Sequence, residues 1–516
     1  MRHLYTAILA LAVMAFTGCR QDRDELISYN SKPNMLGAAD SYGEQFKVMW
    51  HAMNTNYAAW EIEDIDWDDI YATYYPRFVE LDTLASRGNP DSPDVEEQIN
   101  EIKNKAEAMY EEILSPLHDG HTKLAFIDPL TKEQYSISPA MIRNQARPDF
   151  QDCPEWDLSY YTTVTDDIDA EDCAHLYPLM GKAIMNWLAE EAVALRQAAD
   201  EYDEAETHTG VETIEQYQRL SMLSAIAKLQ ENCATDPARY QDVASIYNET
   251  IVPNHPALGY PALFGGDLPA DLLLFITKDN IAYLRLSGFN LAAVMGDGLE
   301  GVEETIGDLY KQTWQTWHDI TYQYHAAGTL KGVIIDLRNN GGGNTSDFQY
   351  VGGSIMAGEC VVGTMKAKNG IGRLDYAPSV PFSFNCYSGN TENITAPVVA
   401  LTNASSVSMS EMTTAAIKQM DNGISIGNTT WGGCTTLIVD GIYNEAAGYA
   451  GTFGVMGETA VFGYFPYHLC SYTGMGPAEG KGFTPDIEIR YDTDLYNQTG
   501  RDNQLERAFQ YLRTGK

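Results

Sequence analysis

Four serines, Ser405, Ser406, Ser408 and Ser410, stand in the stretch Leu401-Thr-Asn-Ala-Ser-Ser-Val-Ser-Met-Ser-Glu411. Upstream, Asp336-Leu-Arg-Asn-Asn-Gly-Gly-Gly343 ends in three glycines, which let a backbone approach a ligand with no Cβ in the way. A hydroxyl beside the unpaired N–H groups of a helix start can attack a carbonyl while those groups hold the developing oxyanion. Such residues suit acyl transfer. The hydroxyl is a weak nucleophile and needs a base whose pKa lies near the working pH, for which histidine is the natural residue. Leu117-His-Asp-Gly-His-Thr122 supplies two candidates, His118 and His121.

The elements that would carry these groups can be read from the same sequence. Ala396-Pro-Val-Val-Ala-Leu-Thr402 is a short apolar run of strand type, and Ser410 to Met420 has helical period, which puts the serines at a strand-to-helix junction. Gly332-Val-Ile-Ile-Asp-Leu-Arg338 reads as a buried strand running into the glycine turn. Each group also has a structural reading. Ser408 followed by Glu411 fits a capping box, the glycines fit a tight turn, and either histidine fits ordinary packing. Asp336 and Arg338 are expected to fix their turn through an ion pair or hydrogen bonds.

With these pieces assembled, the chain resembles the tail-specific (C-terminal processing) serine peptidases. The strand ending in DLRNNGGG and the Ser-x-Ser-Glu helix start carry the resemblance. Asp119-Gly-His-Thr122, Asn280–Leu286, Ile426-Gly-Asn-Thr-Thr-Trp-Gly-Gly433 and Glu479-Gly-Lys-Gly-Phe-Thr-Pro-Asp486 follow in family order. It covers roughly residues 41–126 and 276–495. The resemblance places the nucleophile at Ser408, in preference to Ser405, Ser406 or Ser410. It places the oxyanion donors at the backbone N–H of Met409 and of Gly342, and Trp431 along the cleft. In the better-known branch a lysine base follows a Thr-aromatic-Gly step, but here Gly433 stands in its place. Lys418, on the serine helix, is expected to face solvent. The chain is therefore more similar to the tricorn-core-like Ser/His/Glu branch, which implies His121 as base and Glu479 as its orienter. That branch has a serine just before its histidine, where this chain has Gly120. The fold implied is α/β, a crotonase/ClpP-like ββα superhelix. No clear PDZ domain is recognisable.

Five segments follow. Residues 1–18 read as a lipoprotein signal peptide, 19–40 as a tether, 41–125 as a helical N-terminal domain, 126–275 as a mainly helical insertion, and 276–516 as the peptidase core. In the core, strands are expected at Ile281–Leu286, Val333–Leu337, Val361–Met365 and Val398–Leu401. Helices are expected near Val302–His325 and Phe348–Met356, after Ser408, and at Arg501–Leu512. This alternation implies a mostly parallel sheet with crossover helices.

Apolar Leu4 to Phe16, too short to span a bilayer stably, precedes Thr17-Gly-Cys19. The junction resembles a bacterial lipoprotein box, so Cys19 is the expected lipidation site and membrane anchor, in an outer membrane facing the periplasm or the cell surface. Lys plus Arg 33 against Asp plus Glu 72 gives a net charge of −39, which argues against a nucleic-acid partner. No cofactor is implied, and no cluster at zinc spacing points to a metal. Seven of the 8 cysteines remain after Cys19, in an oxidising compartment. Proximity in the core suggests Cys360 with Cys386 and Cys434 with Cys470. The expected function is a lipid-anchored serine peptidase cleaving exported polypeptides through an acyl-enzyme. The alternative is a non-catalytic ligand- or peptide-binding lipoprotein that retains the fold.

Overall fold

The computed structural model describes residues 40–87, 94–150, 192–205, scattered positions from 207 to 227, 272–277, 279–289, 291, 302–369, 372–386, 389–436 and, with short gaps, 443–516. The signal segment, Cys19, the tether to residue 39, most of the 126–275 insertion, and Cys153, Cys173 and Cys233 lie outside the described residues. Contacts divide the chain into two units. The first takes in the N-terminal part to Arg147, Gly363–Phe382 and Trp431–Gly482; the second comprises Pro148–Val362, Ser383–Thr430 and Phe483–Lys516. The expected 276–516 core thus contributes to both.

The second unit is built on a six-stranded sheet of β1 (Leu272–Ile276), β2 (Ile281–Leu286), β3 (Gly332–Asp336), β4 (Val398–Thr402), β5 (Gly423–Gly427) and β6 (Ile487–Glu488). Its order is β6-β5-β4-β3-β2-β1, with every pair parallel except β1 with β2. Strands β2, β3 and β4 are buried at every position, as their mainly apolar sequences require of a sheet covered on both faces. The terminal helix Asn503–Thr514 packs Leu505, Ala508, Phe509 and Leu512 onto Phe275, Ile334, Val399 and Leu401. It starts where Asp502 accepts the N–H groups of Gln504 and Leu505. One expected helix differs: Phe348–Met356 is a single turn, Phe348–Val351, followed by 3-10 backbone. Gly352 and Gly353 lie in that stretch, and glycine weakens helices by about 1 kcal/mol per residue.

The first unit packs the helices Tyr42–Asn56, Trp67–Arg87 and Val95–Leu114 around an aromatic core. Phe46, Phe78, Tyr110 and Phe126 pack ring against ring in succession, with centroids 4.9, 4.6 and 4.1 Å apart. Phe126 belongs to Lys123–Ile127, an inner strand of an antiparallel sheet, paired with Val461–Tyr464 on one side and Gln134–Ile137 on the other. This strand begins directly after His121-Thr122 and so anchors the histidine loop to the core.

No described helix is long and apolar enough to cross a membrane. The two expected disulfides are corrected, because none of Cys360, Cys386, Cys434 and Cys470 is bridged. Cys386 donates its N–H to Gly358 O (2.8 Å), so it sits across from Gly358 and is staggered by two residues from Cys360. Tyr472 OH donates to Cys434 O, which likewise places Tyr472, two residues beyond Cys470, beside Cys434.

Candidate active site

In the second unit, the carboxyl ends of the neighbouring parallel strands β3 and β4 deliver the glycine turn and the serine turn side by side, the place where open parallel sheets present ligand sites. The two turns are stitched together. Asn339 N–H donates to Asn403 Oδ1 (3.0 Å) and Asn403 Nδ2 returns a bond to Asn339 Oδ1 (2.6 Å). Val407 N–H donates to Asn340 O (3.0 Å). Ser406 Oγ donates to Leu337 O (2.8 Å) and Ser410 Oγ to Asn340 O (2.9 Å); both serines are buried. Those two hydroxyls are engaged in holding the turns.

Ser408 differs from them. It is the N-cap of the helix Met409–Lys418 and stands at φ 56°, ψ −115°, a conformation that L side chains rarely adopt. Its own N–H donates to Glu411 Oε2 (3.1 Å), and Glu411 Oε1 accepts from Thr430 Oγ1 (2.6 Å). Thr430 Oγ1 in turn accepts Phe483 N–H (2.7 Å). Gly342 closes in from the other side at φ 88°, where a Cβ would stand 2.6 Å from Ser408 Cβ and 3.0 Å from Met409 N. Met409 N–H is one of the orphan donors of the helix start. Gly342 N–H, the other expected oxyanion donor, is bonded to Asn340 Oδ1 (2.9 Å).

Behind this turn, Asp336 and Arg338 pair through two bonds, Nε to Oδ1 (2.9 Å) and Nη2 to Oδ2 (2.6 Å), while Tyr283 OH also donates to Asp336. Arg338 holds the Asp336 carboxyl below the usual range against the opposing effect of burial. Lys418 differs from its expected solvent-facing position. Its side chain is only 13% exposed and its Nζ is bound to Asp486 Oδ1 (2.6 Å) and Ser425 Oγ (3.1 Å).

In the first unit, Asp119 Oδ1 accepts the N–H groups of His121 (2.8 Å) and Thr122 (2.7 Å), which folds the loop into an Asx turn. The two histidines separate clearly. His118 is 47% exposed at its side chain and pairs through Nδ1 with Glu63 (2.9 Å). The His121 side chain is only 8% exposed, and neither of its ring nitrogens has a hydrogen-bond partner among the described residues. Burial pushes its imidazole down to about 4, opposed by the nearby Asp119 charge.

Glu479 lies 4.0 Å from His121 Nδ1, beyond hydrogen-bond reach. Its carboxylate instead accepts Gly120 N–H at Oε1 (2.6 Å) and Cys434 N–H at Oε2 (2.6 Å). It thereby staples the histidine loop to the loop after Trp431, whose Nε1 donates to Gly120 O (2.9 Å). A serine cannot replace Gly120 in this packing, because its Cβ would stand 2.3 Å from Gly433 Cα. Among the described residues no group of His, Cys, Asp and Glu is placed to hold a metal ion.

The asparagines 339, 340 and 403 and the carboxylate of Glu63 were not singled out from the sequence. The asparagines stand at strand ends, which was the signal available for them; Glu63, 55 positions from His118, carried none.

Residues 280–489 match the profile of Peptidase family S41. Over 195 residues the chain is 26% identical to the tricorn protease of Thermoplasma volcanium, covering 37% of this chain and 15% of that one. The chain thus spans a small part of this relative's length. Two solved structures are similar over longer stretches. Mature CPAF complexed with lactacystin shares 10% identity at a TM-score of 0.42, covering 95% of this chain and 100% of that one. The photosystem II D1 C-terminal processing protease shares 18% at a TM-score of 0.25, covering 40% and 42%. The matches thus fall on a peptidase family and on a protease, and each covers less than half of this chain.

Proposed function

We propose that this protein is a serine peptidase of the tricorn-like branch that cleaves exported polypeptides through an acyl-enzyme. One observation carries the proposal: Ser408, a non-glycine residue, is held at φ 56° on a strand-to-helix turn with Gly342 packed against it. Strained backbone of this kind costs on the order of 1–3 kcal/mol and persists where the surroundings enforce it, which is the pattern of a nucleophile turn.

In the proposed reaction Ser408 Oγ attacks the scissile carbonyl carbon and His121 accepts the hydroxyl proton. The tetrahedral oxyanion is held by Met409 N–H and, once Asn340 releases it, by Gly342 N–H. Collapse expels the amine, which takes the proton from His121, and water then hydrolyses the ester by the same route. Glu479 holds the histidine loop through Gly120 N–H, and its charge, 4.0 Å from Nδ1, favours the imidazolium once it forms. Cys19 is proposed to carry a lipid anchor at the outer membrane, supported by the Thr17-Gly-Cys19 junction.

A second reading, binding without catalysis, is favoured by the unpartnered imidazole and by the engagement of Glu479 with backbone. Labelling with a serine-directed fluorophosphonate separates the two. Wild type should label, while Ser408→Ala and His121→Ala should not; an unlabelled but folded wild type supports binding alone.

A further inference from the structure

Gly433 does not adopt the left-handed backbone that its neighbour Gly432 does at φ 93°. Its lack of a side chain therefore answers to space. A Cβ at 433 would stand 3.1 Å from His121 Cε1, 3.2 Å from Trp431 Cδ1 and 3.3 Å from His121 Nδ1, closer than ordinary van der Waals contact. No hydrogen bond fixes either ring nitrogen, so packing alone orients the imidazole. The indole of Trp431 is itself pinned to Gly120 O and cannot readily yield on that side.

We infer that Gly433 is a positioning residue: the missing side chain at 433 forms the recess that seats the edge of the His121 imidazole, and any side chain there displaces the ring. The inference rests on the peptidase reading only for its catalytic consequence. The charged groups beside the ring are Asp119 and Glu479, and both are held by backbone N–H groups of the two loops. Substitution at 433 alters the steric wall and leaves those charges in place.

The test uses the full chain with selectively labelled histidine and follows the His121 Cε1–H resonance by NMR, assigned with His121→Gln, in wild type, Gly433→Ala and Gly433→Val. Gly433→Ala should move the resonance, and Gly433→Val should drive the ring outward, bringing its titration toward the ordinary value near 6.5. Fluorophosphonate labelling of Gly433→Ala should slow by about tenfold, since small misplacements of a reacting group cost this much. An unchanged resonance and titration in folded Gly433→Ala overturns the inference, and this variant decides the matter even if Gly433→Val does not fold. Wild type that fails to label while Gly433→Ala still moves the ring sinks the peptidase reading and leaves the seat intact. Labelling with an unmoved ring does the reverse.

Discussion

Gly342→Ala is the sharpest perturbation of the serine turn. The new methyl would meet Ser408 Cβ at 2.6 Å, Val407 O at 2.8 Å and Met409 N at 3.0 Å, at a residue whose φ is 88°. Placing an L side chain in left-handed backbone costs roughly 1–2 kcal/mol. Overpacking of a filled site adds about 1–3 kcal/mol. The sum is about 2–5 kcal/mol of lost stability if the turn does not move. If it does move, ordinary contact with Ser408 Cβ begins at 3.4 Å against the present 2.6 Å, so the serine must retreat by most of an ångström. A displacement of that order lowers reactivity by about 100-fold. Gly341→Ala is the stability control, since a Cβ there meets nothing within 4 Å, and it should melt within about 0.5 kcal/mol of wild type. Urea melts and fluorophosphonate labelling rates on the three proteins decide the case. If Gly342→Ala both melts with Gly341→Ala and labels within threefold of wild type, the account of the turn is refuted.

Ser408→Gly should remove the strain at φ 56°, raising stability by about 1 kcal/mol while abolishing labelling; a destabilised variant in urea melts contradicts this. Glu479→Gln keeps a single acceptor oxygen for two N–H groups now bonded at 2.6 Å each, so it should lose about 2–3 kcal/mol in the same assay, and an unchanged melt would count against the staple. His121 is held at about 4 by burial against its ordinary 6.5. The unfolded chain therefore binds the extra proton between those values, and stability rises with pH across the window: it is complete above about 6.5 and lost by about 3 kcal/mol as pH falls to 4. Because buried His468, also pushed down to about 4, contributes in the same window, the measurement is the difference between wild type and His121→Gln melted at pH 7 and pH 4.5. Equal pH dependence in the two proteins rules out the His121 contribution. His118→Ala should label within threefold of wild type, because Glu63 holds that ring; loss of labelling would move the base to His118.

The elements with mainly apolar sequence were the most legible. Ile281–Leu286, Gly332–Asp336 and Val398–Thr402 are strands because a sheet buried on both faces admits little else, and the amphipathic stretch from Val302 is a helix to Ala326. The junction holding Ser408 was also legible, since a strand followed by helical period fixes where the turn must fall. What could not be read was which polar group each residue would satisfy. Glu479 has the composition of an orienting carboxylate, yet two backbone N–H groups outcompete the imidazole for its oxygens, because buried amides must find acceptors. Lys418 reads as a solvent-facing cation, but Asp486, distant in sequence, draws it in. The expected cysteine bridges failed for a related reason: proximity within the core does not set register, and each pair is offset by two residues.

The staple between Gly120 N–H and Glu479 joins residues 359 positions apart, and its other arm reaches Cys434. During synthesis the histidine loop therefore emerges long before the groups that fix it. A nascent chain ending before residue 479 lacks the carboxylate, and one ending before 433 also lacks the recess for the ring. Closing a loop of this length is entropically costly and slows assembly. The histidine loop thus gains this anchor only once residue 479 is available, so its ordering is expected to follow that of most of the chain.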